Sequence, residues 1–117
     1  MAKIIHNQGE LRLQLSKLEE LGALHRSPRA PIGDVVRVRK VSDPWNREIM
    51  RGVRAPGTGI PNVIMLGTLR YRGGKSFSAV YRRRPTYVME FDRGEFDTWI
   101  VTTDTELPNI LLEQLAD

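Results

Sequence analysis

The sequence predicts a mainly β domain that ends in a C-terminal α-helix. Seven short segments alternate apolar and polar residues, which is typical of strands with one buried face, and a last segment repeats apolar residues at helical spacing. The 117 residues, of which 40% are hydrophobic, can supply one ordinary core. We therefore expect a single domain over residues 1–117, built as a small barrel or sandwich that the helix covers.

The first residues carry clear local signals. Residues 11–15 alternate leucine with polar side chains and predict a strand, which a short lead-in strand at 3–5 precedes. Ser16 and Glu19 match a capping box, in which the side chain of each residue bonds to the backbone of the other. This pattern predicts a short helix that Gly22 closes.

Three further segments are short or irregular. Residues 23–26 predict a second short strand, and residues 31–34 predict a turn or one helical turn. Residues 42–51 are expected to begin with a helical turn, for which Ser42 or Asp43 supplies the cap.

The segment 35–41 predicts a strand between these irregular parts. Because side chains alternate across a strand, Val36 and Val38 are expected to share one face. Arg37 and Arg39 then lie on the opposite face.

The stretch 51–61 contains three glycines and two prolines, which favour turns over a ladder of strand hydrogen bonds. Long loops in compact domains often carry function. Backbone N–H groups near Gly57 and Gly59, with Arg51 and Arg54 beside them, could therefore bind an anion. The alternative is a rigid loop that covers the mouth of a barrel, since the stretch lacks the spacing of a phosphate-binding loop.

A meander follows this loop. Residues 63–71 and 75–83 predict two strands joined by a glycine hairpin at 72–74. Two more strands are predicted at 86–91 and 96–103.

The C-terminal segment predicts an amphipathic helix that runs to Ala116. Asp104 or Thr105 can cap it, and Pro108 suits its first turn. Leu112 lies outside the main apolar stripe of this helix, which hints at contact with a second subunit in a homo-oligomer.

The strand count, the start of a strand at 31–35 and the closing helix together resemble bacterial pleckstrin-homology-like domains. The stretches 43–45, 54–61, 67–68 and 79–81 more specifically resemble small actinobacterial proteins of this type. The resemblance implies a seven-stranded barrel of two orthogonal antiparallel sheets, with the C-terminal helix over one open end. It implies no particular activity, although bacterial members of the fold act as oligomers or as ligand-binding modules.

Charge is distributed unevenly along the chain. Residues 26–84 carry a net charge of +11 and residues 85–117 a net charge of −7, whereas the whole chain carries +4. The arginine-rich middle could therefore face an acidic partner, or the acidic end could neutralise it. The absence of cysteine excludes disulfides and thiol chemistry, and no apolar run is long enough for a transmembrane segment. We expect a cytoplasmic protein.

The predicted hairpin carries a second basic cluster. Its members lie around the hairpin turn and at the end of the second strand: Arg70, Arg72, Lys75, Arg82, Arg83 and Arg84. Such a cluster, with tyrosines between the arginines, could bind nucleic acid. The alternative is that the tyrosines are core residues and that the arginines are solvated or paired with the acids at 90–97.

No catalytic, cofactor or metal site is predicted. His6 and His25 are the two histidines and lack the spacing of metal ligands. The sequence favours a non-enzymatic binding or assembly module for an acidic partner or an anionic ligand at the 51–61 loop. Nucleic-acid binding through the Arg70–Arg84 hairpin is the alternative, and a small enzyme that uses His25 or Asp34 is a weaker one.

Overall fold

A three-stranded sheet packs against a larger sheet in the computed structural model, which describes residues 1–116. The smaller sheet has the order β1-β2-β3, and both of its pairings are antiparallel. The predicted strands at 3–5 and 11–15 are confirmed as its first two strands. The bounds of the three strands are Lys3–Asn7 for β1, Glu10–Gln14 for β2 and Arg29–Pro31 for β3.

The larger sheet has eight strands and is open. Its order is β11-β4-β9-β10-β8-β7-β5, and β6 also pairs with β7. The strands are β4 (Val35–Val41), β5 (Val53–Arg54), β6 (Thr58–Ile60), β7 (Ile64–Tyr71), β8 (Gly74–Tyr81), β9 (Thr86–Phe91), β10 (Thr98–Val101) and β11 (Leu115–Ala116).

The mainly β class with a short C-terminal helix is confirmed, whereas two parts of the expected architecture differ. The larger sheet ends at β11 and β5 and does not close into a barrel within residues 1–116. It is also mixed, because β10 runs parallel to β8 and β11 runs parallel to β4. The expected seven-stranded barrel of two antiparallel sheets is therefore wrong in these respects.

The predicted capping box is present at the first helix, α1 (Lys17–Ala23). The Ser16 hydroxyl accepts the Glu19 N–H at 3.1 Å, and the Glu19 carboxylate accepts the Ser16 N–H at 2.9 Å. The helix continues past Gly22 and ends at Leu24, which takes the left-handed conformation with φ 52°. The N–H groups of Leu24 and His25 donate to helix carbonyls, so the strand predicted at 23–26 does not form.

The C-terminal helix is much shorter than predicted. The helix α2 spans Asn109–Leu112, and Leu115 then pairs with Val38 in a strand instead of continuing the helix. Pro108, at the N-cap, supplies no side-chain hydrogen bond to hold a longer helix. Leu111 on this turn and Leu107 just before it are both buried in the core. A single helical turn is therefore enough to bury the apolar side chains at the start of this segment.

The strand β4 contains a bulge that changes the expected side-chain pattern. The register shifts between Val35 and Arg37, so Val36 is 59% exposed whereas Val38 is fully buried. The prediction that Val36 and Val38 share a buried face is therefore wrong. Arg37 and Arg39 lie on the face opposite Val38.

Two apolar cores lie on the two faces of the larger sheet. The first lies between the sheets and includes Trp99, Phe77 and Leu13. The second lies on the outer face, where residues 42–52 cover it; its buried members are Ile49, Leu69, Val80, Val88 and Ile100. The segment 42–52 thus belongs to the fold and is more than a connection.

Neither helix within residues 1–116 is long and apolar enough to cross a membrane. The helix α1 does expose apolar side chains, with Leu18 at 81%, Leu21 at 69% and Leu24 at 62% exposure. These leucines lie on the side of α1 away from the buried Glu19 and Ala23.

Glu20 ties α1 to the segment before β3 and gives the fold an acid-sensitive contact. Both the N–H and the hydroxyl of Ser27 donate to the Glu20 carboxylate, at 2.8 and 3.0 Å. These bonds, the backbone one first, hold the pKa of Glu20 below its ordinary value of 4.5. Because the pKa is lower in the folded state, the contact stabilises the fold above about pH 4.5 and is lost as the pH falls through the folded pKa.

We expect the Glu20→Gln variant to lose less stability than the unmodified protein as the pH falls below about 4.5. Urea unfolding at about pH 7, 5, 4 and 3 measures how the free energy of unfolding depends on pH. Glu106→Gln, at an exposed acid without an ion pair among residues 1–116, is the matched control. An unchanged acid limb in Glu20→Gln would contradict the assignment.

Candidate anion-binding site

The segment 42–52 leaves part of the outer face of the larger sheet uncovered. It runs from the end of β4 at one side of the sheet to β5 at the opposite edge, so it must cross the strands between them. A single turn at 46–50, closed by the Met50 N–H on the Asn46 carbonyl at 2.8 Å, presses Ile49 onto the second core. The predicted helical turn is present here. Beside it lie polar side chains of the outer face of the sheet, in rows that run across β4, β9 and β10.

These polar rows and the edge of the segment form a concavity of about 330 Å³. Cross-strand partners share a face, so Arg37 on β4, Glu90 on β9 and Thr98 on β10 lie side by side. Three arginines and two glutamates line the concavity, together with Ser76 and Thr98. We call it the arginine concavity; its charged members are Arg37, Arg39, Arg51, Glu48 and Glu90.

Arg51 forms a fixed wall of the arginine concavity. Its guanidinium lies 3.9 Å from the centre of the Tyr71 ring, within the range of a cation–π contact. The Tyr71 hydroxyl in turn donates to Asp97 at 3.2 Å and bonds with the Ser76 hydroxyl at 3.1 Å. The ring that carries Arg51 is therefore held by two polar contacts of its own.

Two charged side chains in the arginine concavity have unsatisfied buried atoms. The Nε of Arg39 and the Oε2 of Glu90 are inaccessible to water and have no hydrogen-bond partner among residues 1–116. The Glu90 Oε2 lies 3.8 Å from the Arg37 Nε, an ion pair that is too long for a hydrogen bond. Native proteins provide hydrogen-bond partners for most buried polar atoms, so the two unsatisfied atoms of Arg39 and Glu90 make the concavity unusual.

The predicted anion loop has a different role from the one expected. Arg54 donates to the Gly57 carbonyl at 3.1 Å and its side chain packs on Gly59, where a Cβ would meet the Arg54 Cδ at 2.7 Å. A Cβ at Gly57 would meet the Leu66 carbonyl oxygen at 2.7 Å. Parts of 51–61 pair with β7 as the short edge strands β5 and β6, and the rest of the stretch is loop and turn. Arg51 is the predicted residue of this stretch that lines the arginine concavity.

The predicted basic hairpin does not gather its arginines at one place. Arg70 and Arg72 lie at the turn between β7 and β8, whereas Arg82 and Arg84 follow the far end of β8. The ladder between them is eight residues long, or roughly 25 Å. All four are exposed, and none forms an ion pair within the described part of the chain. The other two members of the predicted cluster are paired, Lys75 with Glu95 and Arg83 with Asp43.

His25 contacts an exposed acid and does not meet Asp34. Its Nε2 lies 3.3 Å from the Glu95 carboxylate, which also pairs with Lys75 at 3.4 Å. Burial raises the pKa of Glu95, but the hydrogen bond and charge of His25, with help from Lys75, outweigh it and hold that pKa below its ordinary value. Asp34 instead pairs with Arg93 at 3.9 Å. Among residues 1–116, no group of three acidic or histidine side chains is arranged to hold a metal ion.

Of the charged residues in the arginine concavity, Arg51 is a predicted site residue and the other four are not. The alternation of β4 placed Arg37 and Arg39 on one face, which was the available signal. What surrounds that face depends on the pairing of β4 with β9, which brings in Glu90, and on the path of residues 42–52. Neither follows from local pattern.

Comparisons of the chain with protein-family models, with curated proteins and with solved structures found no match. The relationship to pleckstrin-homology-like domains therefore stays a prediction.

Proposed function

We propose that the protein is a non-enzymatic binding module that holds an anionic ligand in the arginine concavity. The observation that carries the proposal is the buried Nε of Arg39, which has no acceptor among residues 1–116 although Arg37 and Arg51 line the same space. A guanidinium offers several N–H groups in a planar fork that matches the oxygens of a carboxylate or phosphate.

A buried polar atom without a hydrogen-bond partner raises the free energy of the protein without ligand. Leaving a buried donor without an acceptor costs about 1–3 kcal/mol, and more when the group is charged. An anion in the concavity would recover this cost if the Arg39 side chain turns its Nε–H toward the anion on binding, while a surface arginine gains little because water already solvates it. The binding free energy of the concavity is therefore expected to depend mostly on Arg39.

The size of the concavity favours a small ligand over a folded acidic partner. Its volume of about 330 Å³ is at the lower end of ligand pockets. The site shares Arg51 with the anion loop predicted from the sequence, but it lies on the outer face of the sheet, away from Gly57 and Gly59.

The test is an NMR titration with inorganic phosphate and with succinate at constant ionic strength, which separates binding from general screening. We expect saturable shifts at the amides of residues 37–39 and 88–90. Arg39→Gln is expected to weaken binding by about tenfold to a hundredfold, the value of a charged hydrogen bond. Arg51→Gln, at an exposed position, is a second variant and is expected to weaken binding less than Arg39→Gln does.

Arg29→Gln is the matched control, since Arg29 is a 59% exposed arginine that pairs with Glu10 on the other sheet. Equal binding by Arg39→Gln and Arg29→Gln would contradict the proposal, as would the absence of saturable shifts in the unmodified protein. The nucleic-acid alternative keeps one observation in its favour, the four exposed arginines of the hairpin. Shifts confined to residues 70–72 and 82–84 would favour it.

The assembly part of the predicted function also stays a prediction. The exposed leucines of α1 are the feature that favours a second copy of the chain as partner. Leu112, which suggested a subunit contact from the sequence, is 39% exposed.

A further inference from the structure

Glu90 carries a requirement that a simple anion would not meet. Its Oε2 is buried and accepts no hydrogen bond among residues 1–116, although it lines the same concavity as the arginines. An anion that binds Arg39 would add negative charge beside this carboxylate and leave it unsatisfied. A buried charged acceptor without a donor is as unfavourable as a buried donor without an acceptor.

We propose that the ligand is a small carboxylic acid with a hydroxyl or ammonium group beside its carboxylate, and that Glu90 accepts a hydrogen bond from that group. This inference rests on the proposed function, because it names the chemical class that the arginine concavity would hold. The carboxylate binds the arginines and the neighbouring donor binds Glu90. One molecule then satisfies both buried atoms.

The geometry of the sheet matches such a ligand. Arg37 and Glu90 are cross-strand partners, and Arg39 lies two residues further along β4 on the same face. Two residues along a strand span about 7 Å between their Cα atoms, a spacing that suits a ligand of a few carbon atoms. The three arginines exceed the two glutamates by one positive charge, which favours an acid with a net negative charge.

Glu90 is held where it can distinguish ligands. Its ion pair with Arg37 at 3.8 Å keeps the carboxylate on the outer face, between β4 and β10. The side chain is 37% exposed as a whole although Oε2 itself is covered, so a ligand can reach the carboxylate, and a rotation of the carboxylate group would bring Oε2 to it. A site that is built to hydrogen-bond a ligand group rejects the analogue that lacks the group.

The experiment compares succinate, malate and aspartate, which share a four-carbon diacid and differ by a hydrogen, a hydroxyl or an ammonium at one carbon. Their dissociation constants are measured by the same NMR titration. We expect malate or aspartate to bind at least about tenfold more tightly than succinate, as one hydrogen bond to a charged acceptor implies. Glu90→Leu, which has no acceptor, is expected to bring the three constants together.

Glu90→Gln keeps an acceptor but removes the charge, and it guards against failure of Glu90→Leu to fold. It is expected to retain a preference for malate over succinate and to lose a preference for aspartate. Glu95→Gln, at an exposed acid outside the arginine concavity, is the matched control and should leave the order unchanged.

The two proposals fail in different ways. If all three acids bind equally and Arg39→Gln abolishes their binding, the donor requirement is wrong while the anion site stands. If inorganic phosphate binds but none of the three acids does, the ligand class is likewise wrong. If no anion produces saturable shifts, both proposals are wrong.

Discussion

Replacing Trp99 by alanine is expected to destabilise the protein by about 3–5 kcal/mol, the range for removal of a large buried aromatic side chain. Trp99 is 1% exposed at the centre of the first core, and its ring lies 4.8 Å from that of Phe91. Its strand, β10, is paired on both sides, with Met89 and Phe77 as the neighbours of Trp99. No adjacent element can move in to fill the space without breaking a ladder.

Since domains of this kind are stable by about 5–15 kcal/mol, this one substitution removes a large share of the total. Urea unfolding followed by far-ultraviolet circular dichroism measures the change without relying on tryptophan fluorescence.

The matched control is Trp45→Ala in the second core. Trp45 is half-buried, and its indole N–H donates to the Arg82 carbonyl at 2.8 Å. The loss is expected to be about 1–2 kcal/mol, because less apolar area is removed from contact. If Trp99→Ala lowers the free energy of unfolding by no more than Trp45→Ala does, the larger contribution assigned to Trp99 is wrong.

Local signals predicted the elements that local chemistry decides. The capping box of α1 requires four residues in sequence, and the hairpin between β7 and β8 requires a glycine at positive φ, here Gly73 at 93°. The strands β4 and β9 follow from alternation. The strands β7 and β8 bury runs of consecutive residues, and the glycine hairpin between them was the signal that predicted them.

The errors fall where a distant segment decides the outcome. The apolar spacing near the C-terminus is helical, but Leu115 pairs as a strand with Val38, which is distant in the sequence. Glycine and proline predict a loop over 51–61, and two short parts of it form strands because the free edge of β7 pairs with them. Such pairings depend on the finished sheet and not on the segment.

The arginine concavity illustrates the same limit for function. Arg37, Arg39 and Glu90 are ordinary residues of two amphipathic strands, and each is consistent with a solvated face. Their chemistry becomes distinctive because β4 pairs with β9 in the register that sets Arg37 beside Glu90, while residues 42–52 cover the neighbouring rows. A pattern of residue types cannot express the burial of single atoms such as the Arg39 Nε.

Gly57 was predicted to help bind an anion, and its surroundings indicate a packing role instead. Carbonyl oxygens of Leu66, Ala23 and Gly22 surround the position where its Cβ would lie, the nearest at 2.7 Å. Gly22 and Gly57 meet here because the Thr58 hydroxyl donates to the Gly22 carbonyl at 2.8 Å, which draws β6 against α1. A methyl group at this junction would have to push backbone away from backbone.

We therefore expect Gly57→Ala to destabilise the fold by about 1–3 kcal/mol, the usual cost of overpacking. Gly33→Ala is the matched control, because a Cβ at Gly33 would have no neighbour within 4 Å. Urea unfolding and the phosphate titration, applied to both variants, separate the two roles. A loss of stability with unchanged phosphate binding by the folded protein supports packing. Weaker phosphate binding at unchanged stability would instead restore Gly57 to an anion site and place that site on the α1 side of β6, away from Arg39.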